Sequence, residues 1–206
     1  ADLLGSDPST AELADAIYTR SGGNPFYAEE IVRSLLESGH LEGTRGRHRL
    51  LTPVEHLPVP SSVQALLAAR MDRLPGREKR RLQVAPGIGR RFRGPILEQV
   101  IELAPNELSE SLAVLRNAEF VYEESLYPVA EYSFQHPLTQ EVALGSLLGD
   151  RRRAAHAAVA RATEAFDADR LDEQAALLAH HHAEAGAALD AARWHARAAG
   201  YVGKSD

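Results

Sequence analysis

The chain has no cysteine. Disulfides, thiolate-bound zinc and a cysteine nucleophile are therefore excluded, and histidine and carboxylate are left as the side chains for a transition metal. Lysine is nearly as scarce: Lys79 and Lys204 are the only two among 23 lysines and arginines, so a lysine-dependent site has two candidates at most. No run of about 18 apolar residues occurs and no charged-then-apolar leader opens the chain, so a cytoplasmic protein without membrane attachment is expected. Positive charge is in deficit too, and the net charge of -6 disfavours attraction of the whole protein to nucleic acid, leaving only a local patch for that role. What is present, 44% hydrophobic and 25% charged residues over 206 positions, is a globular composition with room for one large domain or two to three small ones.

Apolar spacing predicts a mainly α-helical protein. In residues 9–20 (STAELADAIYTR), Leu13, Ile17 and the edge of Tyr18 recur at helical spacing until Ser21-Gly22-Gly23 ends the pattern. Asn24 suits an N-cap and Pro25 the first helical position, so residues 25–38 read as a second helix closed by Gly39, with Glu29 and Glu30 near its positive start. Residues 40–51, with Gly43 and Gly46 among alternating side chains, suit a small hairpin or loop. Pro53, Pro58 and Pro60 then make an extended linker and a first domain boundary.

Ser61 or Ser62 caps a helix running through Met71 and Asp72, Pro75-Gly76 breaks it, and a basic helix follows over 77–85. Pro86, Gly87 and Gly89 end that helix early and separate it from an apolar stretch at 96–103. A helix over 107–117 carries Leu108, Leu112 and Leu115 on one stripe. The period then changes to strands at 120–122 and 132–134, separated by 123–131 with Pro128. Helices followed by a two-stranded hairpin give the winged-helix order. Residues 138–148, 151–166, 173–185 and 188–199 are helical and alanine-rich, with Gly186 as a hinge, which suits stacked hairpins of the tetratricopeptide kind. The expected organisation is a helical segment over 1–52, a winged-helix domain with a small β-hairpin over 53–136, and TPR-like helical hairpins over 137–206.

Four motifs invite chemistry. Ala198, four residues, and then Gly203-Lys204-Ser205 nearly satisfy the phosphate-loop pattern G-x-x-x-x-G-K-[ST]. A working loop follows a buried strand and opens a helix, whereas this match starts inside an alanine-rich helix, so a chance match is expected. The triple histidine His180-His181-His182 suggests a metal, but successive helical residues point about 100° apart, only His180 and Glu184 share a face, and a third ligand is missing. His56, His136, His156 and His195 show no ligand spacing either, so no metal site is expected. The run Arg77, Lys79, Arg80, Arg81, Arg90, Arg91 and Arg93 raises a nucleic-acid reading. The third helix of the winged unit carries Glu107 and Glu110 against Arg116, and its wing segment, EESLYPVAE, has no basic residue, so direct reading of DNA is disfavoured and the basic helix reads as a solvated face or an internal docking surface. No Ser/His/Asp or paired-carboxylate spacing supports hydrolysis.

The stretches SGGNPFYAEEIVRSLLESGHL, VPSSVQALLAARMDRLP, YSFQHPLTQEVALGSLL with RRRAAHAAVARATE, and LLAHHHAEAGAALDAARWHARAAG occur in an order that resembles one bacterial architecture. It is that of the region following the catalytic core in signal-transduction ATPases of the STAND class, found in large LuxR-type transcriptional regulators and in class III adenylate cyclases fused to an ATPase module. The resemblance covers nearly the whole chain. It implies that the phosphate loop and the magnesium-binding aspartate lie upstream of these residues, and that residues 1–52 form the helical lid of the ATPase module. Gly23-Asn24-Pro25 matches the family's G-x-P motif, whose proline packs near the adenine; taken alone, the same residues fit an ordinary capped helix. The segment Phe134-Gln135-His136-Pro137-Leu138 resembles the end of the family's winged helix, where a polar side chain approaches the bound diphosphate. His136, or Gln135 if the register shifts by one, is then the candidate sensor, and a purely structural cap is the alternative. Where the family has LQAAAVLG this chain has LQVAPGIG.

The resemblance thus implies a non-catalytic regulatory part with no cofactor of its own, ATP or ADP being held by the parent protein. Its partners would be the upstream ATPase core and proteins docking on the helical arm. A stand-alone DNA-binding winged-helix regulator and a helical interaction scaffold are the rival readings; duplex retention that weakens with salt separates the first of these from the others.

Overall fold

Glycine and proline punctuate the chain, and its elements begin and end largely where they stand. The computed structural model describes residues 3–102, 105–127 and 129–202, in two compact units, Ala1–Arg73 and Leu74–Asp206. The fold is mainly α-helical, with small antiparallel strand pairings. Leu103, Pro128 and the Gly203-Lys204-Ser205 match lie outside the described residues.

In the first unit a 3-10 turn, Pro8–Thr10, leads into α1 (Ala11–Ser21), which Gly22 closes in the left-handed conformation at φ 57°. Asn24 and Pro25 start α2 (Pro25–Glu37), the Asn24 side chain accepting the Tyr27 amide hydrogen at 3.2 Å. Residues 40–51 do form a hairpin: β1 (Leu41–Thr44) and β2 (Arg47–Leu50) pair with Leu41 opposite Leu50. Gly46, at φ 77°, takes the turn conformation that disfavours a side chain. Leu13, Ile17, Ile31, Leu35, Leu41 and Leu66 fill the core. Tyr18 does not join them; it is 73% exposed.

Ser62 caps α3 (Val63–Asp72), its hydroxyl accepting from the Ala65 amide at 3.2 Å. This helix, expected to open the winged-helix domain, belongs to the first unit because its Arg70 is sunk among carboxylates of α2. The Arg70 guanidinium pairs with Glu30, and it grips Glu37 through Nε at 3.0 Å to both oxygens and Nη2 at 2.5 Å. Glu30 is 1% exposed and also pairs with Arg33. Its position therefore answers to Arg70 rather than to the dipole of α2, whose effect fades after the first turn. Residues 53–60 are likewise not a free linker: the Tyr27 hydroxyl donates to the Pro60 carbonyl at 2.5 Å, and Arg20 donates to the Val59 carbonyl at 3.1 Å. The division between units accordingly falls after Arg73, and residue 52 lies inside the first unit.

The second unit opens with α4 (Gly76–Ile88), β3 (Arg91–Arg93), α5 (Gly94–Val100), α6 (Pro105–Asn117), β4 (Val121–Ser125) and β5 (Glu131–Phe134). The sheet order is β3-β5-β4, both pairings antiparallel, and α4, not α3, is the helix that leads into it. Phe92 of β3 packs on Tyr132 and Phe134 at ring distances of 5.9 and 5.7 Å. Leu108, Leu112 and Leu115 of α6 are all buried, as their stripe predicts. Pro86 does not end α4, which runs on to Ile88. A proline in the last turn removes one backbone hydrogen bond, whereas Ala85, Pro86, Gly87 and Ile88 all bury their surface there, and burial prevails.

His136 caps α7 (Pro137–Gly145), and three longer helices follow: α8 (Gly149–Phe166), α9 (Ala175–Glu184) and α10 (Ala188–Val202). Buried Ala155, Ala160, Ala162, Ala175, Ala179 and Ala191 let them approach closely, and Gly186 takes φ 82° between α9 and α10. Because α8 packs on α4 and α5 as well as on α9, residue 136 does not divide the unit.

Candidate functional site

The Gly23-Asn24-Pro25 corner is held from both sides. Gly23 sits at φ 80°, which favours glycine, and Pro25 fixes the first turn of α2. A surface cavity of about 220 Å³ opens beside it, lined by all three residues together with Leu4, Ile17 and Tyr18. One wall is thus α1 and the other the start of α2. The Tyr27 amide is engaged by Asn24, so this helix start offers less to an anion than an uncapped one would, and its remaining character is an apolar, proline-edged slot with an exposed tyrosine at the rim.

Gln135 and His136 stand together in the second unit at the step from β5 to α7. Gln135 is exposed, and its backbone amide donates to the Phe120 carbonyl at 3.0 Å. His136 Nδ1 accepts the Leu138 amide hydrogen at 3.1 Å. In this geometry the ring is the N-cap of α7, and the Nδ1 lone pair is taken up by that bond.

Part of the basic run is committed to the fold, and Arg90 is exposed. Arg81 is buried, donates to the Glu107 carbonyl at 3.2 Å and lies 3.5 Å from Glu78. Arg91 pairs with Glu124 at 2.5 Å. Arg93 grips Asp167 at the end of α8 with both Nη atoms, and its guanidinium lies 4.7 Å above the Phe166 ring. Arg77 and Arg80 remain exposed and line, with Val84 and Ile101, a cleft of about 350 Å³. On the face of α6, the third helix of the expected winged unit, Glu110 is exposed and Arg116 is paired with Glu123 at 2.8 Å. The free charge of that face is therefore acidic, which repels a phosphate backbone.

Sequence spacing missed a histidine cluster. His156 of α8 comes against His180 and His181 of α9, supplying the third imidazole that the triple histidine lacked. The two helix segments are 25 residues apart in the chain, and only their packing joins them. The one available signal was a histidine among the alanines of α8.

A scan against protein-family models and a search of curated proteins each returned no match. What the chain does is read from its own residues and their placement. Among the described residues no helix is long and apolar enough to cross a membrane.

Proposed function

We propose that the chain is the regulatory, non-hydrolysing part of a cytoplasmic signalling ATPase of the STAND class, coupling nucleotide state to a transcriptional or cyclase output. The observation that carries this reading is the cavity at Gly23-Asn24-Pro25. At about 220 Å³ it is smaller than the roughly 300–1,000 Å³ of a complete small-molecule pocket, which suits an adenine edge better than a whole nucleotide. Phosphates and magnesium then belong to the ATPase core, and the capped start of α2 supplies an apolar lid against the base. Gln135 and His136 at the start of α7 are the residues assigned to sense the diphosphate, and the α9–α10 hairpin is the surface assigned to protein partners.

In this account the nucleotide holds a closed arrangement, and exchange or an inducer releases it, a two-state change driven by differential contacts. The chain by itself binds adenine nucleotide weakly and turns none over. Calorimetric titration with ATP and ADP, with and without Mg²⁺, is expected to give no affinity tighter than the order of a millimolar. Tight magnesium-dependent binding would place a working phosphate site in this chain and overturn the assignment.

A further inference from the structure

We propose that His156, His180 and His181 form a binding site for a single late first-row transition-metal ion, with Zn²⁺ the natural occupant. The inference is independent of the nucleotide reading. One ring nitrogen from each of the three residues lies within 4.8 Å of the others, a convergence that spacing along one helix does not provide. The roughly 100° wedge between consecutive residues of α9 opens toward α8, and His156 fills it. Its ring stands edge-on to His180 at 5.8 Å and tilted over His181 at 5.2 Å.

The second observation is an unmet nitrogen. His181 is 2% exposed and His156 4%, and their Nδ1 atoms face each other at 3.0 Å, yet Nε2 of His181 is buried with no hydrogen-bond partner among the described residues. Buried polar atoms are nearly always satisfied, and this nitrogen, on the other edge of the ring from the Nδ1 that faces His156, is not; an ion taken up between the rings exchanges the Nδ1 to Nδ1 contact for two ligand bonds. Burial, reinforced by the neighbouring His156, His180 and His182, pulls His181 down to about 4, and burial is also the main cause lowering His156, so both rings are neutral, the form that ligates.

Ligand chemistry narrows the ion. Imidazoles without thiolates favour zinc, copper, nickel or cobalt over magnesium or calcium, which take oxygen. Glu184 lies one turn beyond His180 on the same face of α9, but its carboxylate pairs with Arg152 at 3.4 Å and stands outside the group of three, so a water supplies the fourth position. Zn–N bonds of about 2.1 Å in a tetrahedron set nitrogens about 3.4 Å apart, so the rings close in by about an ångström or more from their widest separation. His180 is exposed and gives the ion its entry. Bound there, the ion pins α8 to α9.

The test is a titration of Zn²⁺ into the metal-free 206-residue chain against a chromogenic chelator. One ion per chain is expected, with a dissociation constant on the order of micromolar or tighter. Co²⁺ in its place is expected to show the visible absorption of a four-coordinate site. His180→Ala removes an exposed ring and leaves the helix intact by circular dichroism, and it is expected to weaken binding about tenfold or more. His182→Ala, whose ring pairs with Glu164 at 3.0 Å, is expected to bind as the parent does. Absence of saturable binding, unchanged affinity in His180→Ala, or an equal loss in His182→Ala would each overturn the site.

Discussion

Replacing Arg70 with methionine is expected to destabilise the first unit by about 3–5 kcal/mol, the cost of stranding a buried charge. Arg70 is the partner of Glu30, whose side chain is 2% exposed, and of Glu37, whose side chain is 30% exposed. Burial acts to lower the Arg70 pKa, but its hydrogen bonds to Glu37 and the charges of Glu30 and Glu37 outweigh it, and the guanidinium stays charged. Methionine matches much of its length but leaves Glu30 with Arg33 alone among the ion pairs seen here. Denaturant unfolding, read through hydrogen exchange on α2 and α3, checks the size. The double variant Arg70→Met with Glu30→Leu is expected to recover part of the loss, because removing both partners of a buried pair costs less than removing one. The consequence reaches the candidate site, since the start of α2 borders the cavity at Gly23-Asn24-Pro25.

Asp167→Asn is the second large effect, expected to cost about 2–4 kcal/mol, between the worth of charged hydrogen bonds and of a buried ion pair. The Asp167 side chain is 1% exposed and joins β3, through Arg93, to the end of α8. Hydrogen bonding from Arg93, aided by its charge and that of Arg170, holds this carboxyl below its ordinary 3.8. A carboxylate whose folded pKa is depressed stabilises the fold above its unfolded pKa and loses that contribution as pH falls through the folded value. The parent and the Asn variant are therefore expected to differ fully at pH 7, to begin to approach each other only below about pH 4, and to converge as pH falls through the lowered folded value. Chemical denaturation at both pH values checks the sign.

Local chemistry was legible wherever one residue type settles it. Asn24-Pro25, Ser62 and His136-Pro137 announce helix starts because capping and fixed φ act within four residues. The leucine stripe of α6 announces its buried face for the same kind of reason. What could not be read was set by distant partners. Arg91–Arg93 is too short to show a period and is a strand because β5 pairs with it. Arg70 looks like any surface arginine in the sequence, yet two carboxylates 33 and 40 positions earlier draw it, and α3 with it, into the first unit. Pro86 reads as a helix end until burial of its neighbours outweighs one missing hydrogen bond. His156 carried no ligand spacing because its partners stand on another helix. The Gly23-Asn24-Pro25 corner was singled out by the resemblance of its motif, while the cavity beside it depends on how α1 meets α2.

The central claim is that the Gly23-Asn24-Pro25 corner receives an adenine edge. Backbone NMR of the labelled chain during titration with ADP tests it most directly. The account predicts concentration-dependent shifts concentrated at Tyr18, Gly23, Asn24 and Ala28, which border the cavity, unchanged when magnesium is removed. Shifts confined to other parts of the chain, or none at these residues with nucleotide raised to about ten millimolar, would contradict it.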